Sequence, residues 1–449
     1  MEYTPPCSVK RELKSFLAHD LGAILGSHVV TKRNLARYPT GIDKIEGEPE
    51  IIVPPQTSSR SWLFDINVRY VDRNGSEKVL GLFSKEPRKE GKGEGFDGQQ
   101  DKRADQAAYE ADRLEHSSEL GCNTPVFVHR DRGRIIMERV LGEKLLSLLY
   151  GSRSDVEAQI SYLFSVAEAL AHTHNVWKKN YTRFSGFLSK RSWDYSYDIA
   201  RAISILTDNE LSRGEKGVLS AALGKEFEVV LGAYDVGLIH GDLHPGQIFL
   251  DKVTGNVCFV DLGDLGQGPH SFDLVDVVSS PLVRLRMRDT VARVTERYDL
   301  SRDSVIDKSM FIPSLYGAEF FRSMIAASHT HSLVNNVPIL RGYQTEYGAF
   351  AHLIGAFPEW YEWNALQALR RFRDLNLEIK GLADLENLLV EKLQSTQGLP
   401  LLERLNGSDH GSVRIGNGEG SGNGCGGVVV DSSLGGSLTT TLIAASQRV

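Results

Sequence analysis

The stretch that decides the fold is 238–250, with the sequence LIHGDLHPGQIFL, followed by CFVDLGD at 258–264. Apolar runs precede His240, follow Gln247 and precede Asp261. Each polar cluster is therefore expected in a tight loop or at the end of a short strand, where rigid elements can hold reactive side chains in place. We expect the chemistry of the protein to be concentrated in this segment.

Three polar side chains of this segment have the chemistry that phosphoryl transfer from a nucleotide requires. Such a transfer needs an oriented acceptor hydroxyl, metal ions that neutralise the phosphate charge, and donor phosphates held in line. Asp242 can orient the hydroxyl and accept its proton, while Gln247 and Asp261 offer amide and carboxylate oxygens to a hard cation. Oxygen ligands suit Mg²⁺, which usually keeps several waters as well. The segment predicts Asp242 as the catalytic residue and Gln247 and Asp261 as metal ligands.

The same segment resembles the Brenner motif of the aminoglycoside phosphotransferase and choline kinase-like families, HGDxHxxN followed by an apolar strand and an Asp. Asp242 matches the catalytic Asp of that motif, and Asp261 matches its metal-binding Asp. The stretch GPHSFDL at 268–274 resembles the GDPxxDLA sequence that follows, which implies that Asp273 braces the catalytic loop. One position departs from the pattern, because Gln247 replaces the usual Asn, as in bacterial maltose kinases of this superfamily.

Three histidines, His240, His172 and His174, are interpreted as structural, whereas the role of His244 is left open. We expect His240 to pack and hydrogen-bond within the loop rather than to act in catalysis. His172 and His174 end a predicted helix and have no partner motif, so a structural role is expected for them too. Asp264 has two interpretations, as the cap of a turn or as a second acidic contact to metal or substrate.

The resemblance also implies a lysine and a glutamate that hold the donor phosphates. Lys85 ends a predicted strand and resembles that lysine, with Lys89 and Lys92 as competitors in the adjoining loop. Glu110, in the helical sequence AAYEADRL, resembles the glutamate partner of the lysine, with Glu115 as the alternative.

Two further stretches are assigned to nucleotide binding by the same resemblance. Met137 and Glu138 lie in a hinge-like stretch whose backbone groups would hold the adenine. Ser59 lies in the sequence TSSRS at 57–61, which could cover the phosphates with hydroxyls and backbone amides.

Hydrophobic periodicity predicts where strands and helices lie. Alternation over 61–70, a DRNG turn signal and a return strand at 79–85 predict a β-hairpin. Residues 8–27 and 103–119 have helical spacing, and 86–102 reads as an exposed loop. The same periodicity predicts a hairpin over 125–137, helices over 160–171, 213–233 and within 303–395, and short strands at 237–239 and 257–260.

Together with the resemblance, these elements predict an α+β, protein-kinase-like fold with two lobes. Residues 1–139 would form a small, mainly antiparallel β lobe that binds nucleotide. Residues 140–405 would form a larger, mostly helical lobe with the catalytic loop and the acceptor site. Residues 406–449 are rich in Gly and Ser and are predicted to be a disordered tail.

Composition excludes several classes of partner. The chain has 449 residues, 41% of them hydrophobic, and a formal net charge of −7, so no basic excess indicates a nucleic-acid or membrane-surface binder. No apolar run approaches the roughly 18 residues that a membrane-spanning helix needs. Four dispersed cysteines and the absence of a signal-peptide pattern lead us to expect a cytoplasmic protein.

The function predicted from these features is an ATP- and Mg²⁺-dependent phosphotransferase. It would move the γ-phosphate to a hydroxyl of a small molecule such as a sugar, an amino alcohol or an antibiotic. The alternatives are a protein kinase or nucleotidyl transferase on the same fold, and a non-catalytic kinase-like binding protein. The absence of an APE-type activation segment argues against a protein substrate.

Overall fold

The structure is a computed structural model of the chain. It describes residues 5–29, 41–54, 61–87, 97–131, 133–150, 156–188, 236–278, 288–303, 314–320, 322–324, 360–374 and 382–395, with a few single positions between 214 and 225.

The described elements follow in chain order. As far as residue 142 they are α1 (Cys7–Val29), β1 (Lys44–Ile45), β2 (Glu50–Ile52), β3 (Ser61–Val71), β4 (Glu77–Pro87), α2 (Asp97–Leu120), β5 (Phe127–Asp131) and β6 (Arg134–Glu138). They continue as β7 (Glu143–Lys144), α3 (Leu145–Tyr150), α4 (Val156–Lys179), α5 (Tyr181–Phe184), β8 (Val236–Ile239), β9 (Ile248–Leu250), β10 (Val257–Phe259), β11 (Gly266–Pro269), α6 (Ser271–Val278), α7 (Arg288–Leu300), α8 (Trp360–Asp374) and α9 (Leu382–Ser395). Short 3₁₀ helices span Pro245–Gln247 and Leu262–Asp264.

The chain divides into two compact units. The first comprises Met1–Gly142, Lys179–Leu188 and Cys258–Asp264, and the second comprises Glu143–Lys178, Ser189–Val257 and Leu265–Val449. Two short segments that follow residue 140, around α5 and after β10, thus belong with the N-terminal unit. One of them contains Asp261.

The first unit is built on an antiparallel sheet. Its strands lie in the order β1-β3-β4-β6-β5, and β2 pairs with a different part of β3. The predicted β3–β4 hairpin is confirmed, with Ser61 opposite Pro87 and Val71 opposite Glu77. Asp72 closes its turn, because Oδ1 accepts hydrogen bonds of 2.9 Å from the amides of Asn74 and Ser76.

The predicted loop over 86–102 is wrong at both ends. Strand β4 continues to Pro87, where it is still paired with β3, and α2 begins at Asp97. The Lys- and Gly-rich composition indicated a loop, but the sheet register and the helix extend into it from either side.

Helix α1 covers one face of this sheet. Its leucines recur every four residues, so they fall on one side of the helix. They are buried with alternate residues of β3 and β4, in a core made of Leu13, Leu17, Leu21, Leu25, Phe64, Ile66, Val68, Tyr70, Leu80, Leu82 and Ile136. The face of β4 that carries Leu80 and Leu82 is therefore used for packing, which leaves the opposite face for polar contacts.

The second unit combines a helical core with two small strand pairs. Strand β7 pairs with β9, and β8 pairs with β11, both antiparallel. The predicted α+β class is thus confirmed, with a mainly antiparallel N-terminal unit and a largely helical second one. The predicted catalytic loop lies between β8 and β9, and α6 directly follows β11.

Several predictions fall on residues outside the described ranges. Ser59, Lys89, Lys92 and the tail over 406–449 are among them, as is most of the helix predicted over 213–233. Among the described helices, none is long and apolar enough to cross a membrane.

Candidate active site

A largely buried lysine in the first unit, 18% exposed, joins two carboxylates. Lys85 Nζ donates to Glu110 Oε1 at 2.7 Å and Oε2 at 2.9 Å, and it donates to Asp261 Oδ1 at 2.8 Å. These are the lysine, the glutamate and the metal-binding Asp that the resemblance had implied. The structure therefore brings together three side chains that are up to 176 residues apart in the sequence.

Strand alternation explains why Lys85 faces α2 and not α1. Leu80 and Leu82 point into the core beneath α1, so Lys85, at an odd offset from them, lies on the other face of β4. Helix α2 presents Glu110 to that face from a buried position. The competing glutamate, Glu115, makes no such contact with Lys85 among the described hydrogen bonds.

Opposing effects act on the charge of Lys85. Burial lowers the pKa of Lys85, but the nearby carboxylates of Glu110 and Asp261 outweigh it and raise the pKa above its usual range. Lys85 is consequently a fixed cation, and a fixed cation beside a carboxylate that can bind metal suits the phosphates of a nucleotide.

Asp261 has an unusual backbone conformation. Its φ of 67° makes it the one non-glycine residue with positive φ among those the structure describes. This conformation costs a residue with a Cβ free energy, of the order of 1–2 kcal/mol, and such strain concentrates at functional sites. Its side chain is 46% exposed, so the carboxylate remains accessible beside Lys85.

Arg113 holds the turn that follows Asp261, a role that the sequence analysis did not predict. Its guanidinium donates to the carbonyls of Leu262 and Gly263 at 3.2 and 2.6 Å, and to the carbonyl of Phe187 at 2.6 Å. Arg113 lies one helical turn after Glu110 in α2, so one face of that helix contacts both Lys85 and the turn. The spacing Glu-x-x-Arg was the only signal that could have indicated it.

The catalytic loop of the second unit presents Asp242 to solvent. Asp242 is exposed, whereas His240 before it and Leu243 after it are buried. Gly241 has a φ of 87°, in the left-handed region that favours glycine, which explains the Gly of the HGD sequence. The loop closes through a 3₁₀ turn in which the backbone N–H of Gln247 donates to the His244 carbonyl at 2.9 Å.

The two ends of the Gln247 amide have different environments. Nε2 donates to Asp242 Oδ2 at 3.3 Å. Oε1 is buried and has no hydrogen-bond partner among the described residues. An unsatisfied buried oxygen costs free energy, so a cation or a donor at this atom would be stabilising.

Asp273 braces the loop, as the resemblance implied. Its Oδ2 accepts from the His240 amide at 2.6 Å, and its Oδ1 accepts from the Gly241 amide at 3.0 Å. Burial raises the pKa of Asp273, but hydrogen bonds from His174 and from the His240 amide outweigh it and leave the pKa below its usual range. The fully buried carboxylate is therefore ionised and fixed to two backbone groups of the loop.

His174 extends this network and is more than a packing residue. Its Nε2 lies 2.9 Å from Asp273 Oδ2, and its Nδ1 lies 2.7 Å from the Tyr298 hydroxyl. Burial, together with His270 stacked 4.2 Å away, lowers the pKa of His174 to about 3. The ring is neutral, so Nε2–H donates to the ionised Asp273 and Nδ1 accepts from the Tyr298 hydroxyl.

The hinge-like stretch forms the end of strand β6. Met137 and Glu138 are both buried there and pair with Phe83 and Leu82 of β4. The Glu138 amide donates to the Val126 carbonyl at 2.9 Å, so this donor is already engaged. Adenine binding by this stretch stays a prediction.

Each of the two predicted metal ligands has an oxygen of the kind that a hard cation binds. Among the residues the structure describes, no group of three or more His, Cys, Asp or Glu side chains could bind a metal by itself. Asp261 and Gln247 offer a partly exposed carboxylate and an unsatisfied amide oxygen. Mg²⁺ is commonly held by one or two protein ligands together with substrate phosphates and water, which is consistent with this sparse set.

Comparison with known proteins agrees with the site. Residues 97–303 match the model described as the phosphotransferase enzyme family. The similarity to this family thus covers somewhat less than half of the chain. The matched residues include Glu110, Asp242, Gln247, Asp261 and Asp273. The predicted resemblance to the aminoglycoside phosphotransferase family and the predicted enzyme class, a phosphotransferase with a hydroxyl group as acceptor, agree with this match.

Several solved structures resemble this phosphotransferase at low identity. The GDP complex of aminoglycoside 2'-phosphotransferase-IIIa is 15% identical, with 78% of this chain and 99% of that chain covered and a TM-score of 0.42. The gentamicin complex of APH(2")-IIa is 14% identical over 76% and 96% of the two chains, with a TM-score of 0.44. A choline/ethanolamine kinase family protein from Mesorhizobium loti is 13% identical over 82% and 98%, with a TM-score of 0.39. The chain has no match among curated proteins.

Proposed function

We propose that this phosphotransferase moves the γ-phosphate of ATP to a hydroxyl of a small molecule, with Asp242 as the catalytic base. The observation that carries the proposal is the loop around Asp242. Its exposed carboxylate follows a glycine that has positive φ, and a buried Asp273 holds the two preceding backbone amides. A fixed, accessible carboxylate is what a general base for a hydroxyl requires.

The donor side of the reaction is assigned to Lys85. Its ammonium would contact the donor phosphates, and Glu110 keeps it oriented by accepting two hydrogen bonds. Met137, Glu138 and Ser59 remain the proposed contacts to the rest of the nucleotide. Similar structures have been solved with nucleotides, including a GDP complex and a streptomycin–ATP ternary complex, which is compatible with a nucleoside triphosphate donor here.

Magnesium is the proposed metal, with Asp261 and Gln247 as its protein ligands. When bound, it would neutralise charge on the transferring phosphate. Asp261 offers an oxygen beside the Lys85 cation, and Gln247 offers the buried Oε1. The Nε2 of the same amide donates to Asp242 Oδ2, so Gln247 also orients the base.

The steps performed by the chain itself follow from these contacts. Asp242 accepts a hydrogen bond from the acceptor hydroxyl and takes its proton as the oxygen attacks the γ-phosphorus, while the bond from that phosphorus to the β–γ bridging oxygen breaks and ADP leaves. Asp273, His174 and Tyr298 keep the loop in place and do not exchange protons with substrate, because all three are buried.

The acceptor class is proposed as a small hydroxyl compound. The related structures include complexes with gentamicin, streptomycin and kanamycin, and another is a choline/ethanolamine kinase family protein. Sugars, amino alcohols and aminoglycoside-like compounds are accordingly the first acceptors to test.

Labelled ATP separates this proposal from its alternatives. The protein is incubated with Mg²⁺ and with γ- or α-labelled ATP in the presence of a panel of hydroxyl compounds. The proposal predicts transfer of the γ-label to a small molecule. Transfer of the α-label would indicate a nucleotidyl transferase, γ-label on protein alone would indicate a protein kinase, and a folded protein that binds no Mg-ATP would indicate a non-catalytic protein.

A further inference from the structure

A second group of buried charges contacts the catalytic loop besides Asp273. Arg322 Nη2 donates to the Gly241 carbonyl at 2.7 Å and lies 2.6 Å from Asp276 Oδ2. Both side chains are about nine-tenths buried, at 10% and 11% exposure. Asp276 also accepts a hydrogen bond from the backbone amide of Leu243.

These contacts fall on the two peptide groups that flank Asp242. The Gly241 carbonyl belongs to the peptide that precedes Asp242, and the Leu243 amide belongs to the peptide that follows it. Two fixed peptide planes determine the direction of the Cα–Cβ bond between them. Arg322 and Asp276 therefore act on the orientation of the Asp242 side chain, whereas Asp273 holds the amides of His240 and Gly241 further upstream.

We propose that Arg322 is a positioning residue for phosphoryl transfer, which fixes the catalytic loop through the Gly241 carbonyl and through Asp276. The inference rests on the proposed function, since it assumes that Asp242 is the base. Arg322 lies beyond the part of the chain that matches the family model, residues 97–303. Its role therefore follows from the contacts of this chain.

The guanidinium suits this task better than an ammonium would. Its Nη2 donates to the Gly241 carbonyl, and the same guanidinium lies within ion-pair distance of the Asp276 carboxylate, so one planar group acts on both. The guanidinium also lies 5.2 Å from the centroid of the Phe272 ring, which limits its movement. Phe272 and Asp276 are both in α6, so one helix carries the residues that hold Arg322 in place.

The chain offers a matched control in Arg371. This arginine pairs with the buried Glu319 at 3.0 Å and lies 5.3 Å from the centroid of the Tyr316 ring, in the same unit. No described contact links Arg371 to the catalytic loop. Arg371→Met removes an ion pair and a ring contact of the same kinds from an arginine that is 35% exposed, and so reports the structural cost of losing such contacts away from the loop.

The test compares Arg322→Met, Arg322→Lys and Arg371→Met by kinetics in Mg-ATP with the best acceptor of the panel. We expect Arg322→Met to lower kcat on the order of 100-fold, as a displaced reacting group does, with the KM for Mg-ATP within about twofold of wild type. Arg322→Lys should recover kcat to within about tenfold of wild type, because it keeps the charge and the donors. Arg371→Met should leave kcat unchanged.

Hydrogen exchange of the peptide 240–247 gives a readout that does not depend on activity. Arg322→Met should speed exchange of this peptide about tenfold, and Arg371→Met should not. Wild-type kcat and exchange in Arg322→Met would overturn the inference, as would an equal loss of kcat in Arg371→Met. If Arg322→Met fails to fold, Arg322→Lys decides. A lowered kcat with an unchanged KM supports the inference, and a wild-type kcat contradicts it.

Failure of the proposed function would look different. Asp242→Asn, assayed beside these variants, would then retain the wild-type kcat. If Asp242→Asn is inactive while Arg322→Met is fully active, the proposed function is retained and the positioning role of Arg322 is contradicted.

Discussion

The Nε2 atom of His174 lies 2.9 Å from Oδ2 of Asp273, and both side chains are completely buried. The two residues are 99 positions apart, on α4 and α6. Because Asp273 also accepts from the His240 and Gly241 amides, a helix far from the loop in sequence contributes to the position of the catalytic loop.

The neutral state of His174 makes stability depend on pH. The pKa of His174 is about 3 in the folded protein and about 6.5 when the histidine is unconstrained. Between these values the unfolded state binds the extra proton, so stability falls as the pH drops below about 6.5. This one residue should contribute a slope of about 1.4 kcal/mol per pH unit to the free energy of unfolding.

His174→Gln should flatten that slope, since glutamine has an amide donor near the Nε2 position but does not titrate. Urea unfolding at pH 7, 6 and 5 measures it. The difference in stability between wild type and variant should shrink as the pH falls. A difference that stays constant from pH 7 to 5 would contradict a neutral buried His174.

The positive φ of Gly241 predicts a specific effect of a methyl group. Gly241→Ala should cost of the order of 1–2 kcal/mol of stability and lower kcat, because the strained loop carries Asp242. Gly255→Ala is the matched control, since Gly255 also has a positive φ, 72°, with nothing within 4 Å of an added Cβ. Chemical denaturation should show a similar loss for both variants, and steady-state kinetics a lower kcat for Gly241→Ala alone.

The hydrogen bond from Gln247 to Asp242 predicts a shift in the pH profile. Gln247→Glu would place a second carboxylate beside Asp242 Oδ2, which is now 3.3 Å from the amide nitrogen. Like charges disfavour ionisation, so the acidic limb of kcat/KM should move to higher pH. Gln247→Asn, which keeps the amide, should not move it. An unshifted acidic limb in Gln247→Glu would contradict a direct interaction between residue 247 and the proposed base, Asp242.

The ion pairs of Lys85 predict that loss of its ammonium lowers the efficiency with which the enzyme uses Mg-ATP. Lys85→Met should lower kcat/KM for Mg-ATP by about 10²- to 10³-fold, the cost of removing one donor that stabilises the transition state. Lys78→Met is the control on the same strand, because Lys78 pairs with the nearly buried Asp72 at 2.7 Å, in the hairpin turn. Equal losses in the two variants would mean that Lys85 acts only through the stability of the sheet.

Arg113 offers a separate test of the Asp261 turn. Arg113→Met would leave the carbonyls of Gly263 and Phe187 without their 2.6 Å partners. We expect about 1–3 kcal/mol of lost stability. Because Asp261 is displaced, we also expect weaker apparent binding of Mg²⁺. A magnesium titration of kcat should show a higher half-saturating concentration, with the wild-type value as the contradicting result.

The sequence was sufficient for the features that are local in the chain. Strand alternation and the Asp72 turn predict the β3–β4 hairpin, and leucines four residues apart predict α1. The apolar runs around the HGD sequence predict Asp242 in a tight loop or at the end of a short strand. These signals depend on neighbouring residues, so a single sequence carries them.

The supporting contacts could not be predicted in the same way. Arg113, His174 and Arg322 are single polar residues in helices, and nothing in their neighbourhood indicates a partner 74 or more positions away. His174 was expected to be structural. Its hydrogen bond to Asp273 depends on the packing of α4 against α6, which the sequence does not reveal. These contacts follow from burial, because a buried polar group is destabilising unless the fold supplies a hydrogen-bond partner.

The central claim is that Asp242 takes the proton of an acceptor hydroxyl, and Asp242→Asn tests it most directly. Transfer from γ-labelled ATP to the best acceptor of the panel is measured together with the Kd for Mg-ATP. The account predicts that kcat falls by at least about 10²-fold, the usual contribution of a general base, with a Kd within about twofold of wild type. Wild-type transfer by a folded Asp242→Asn variant would contradict it.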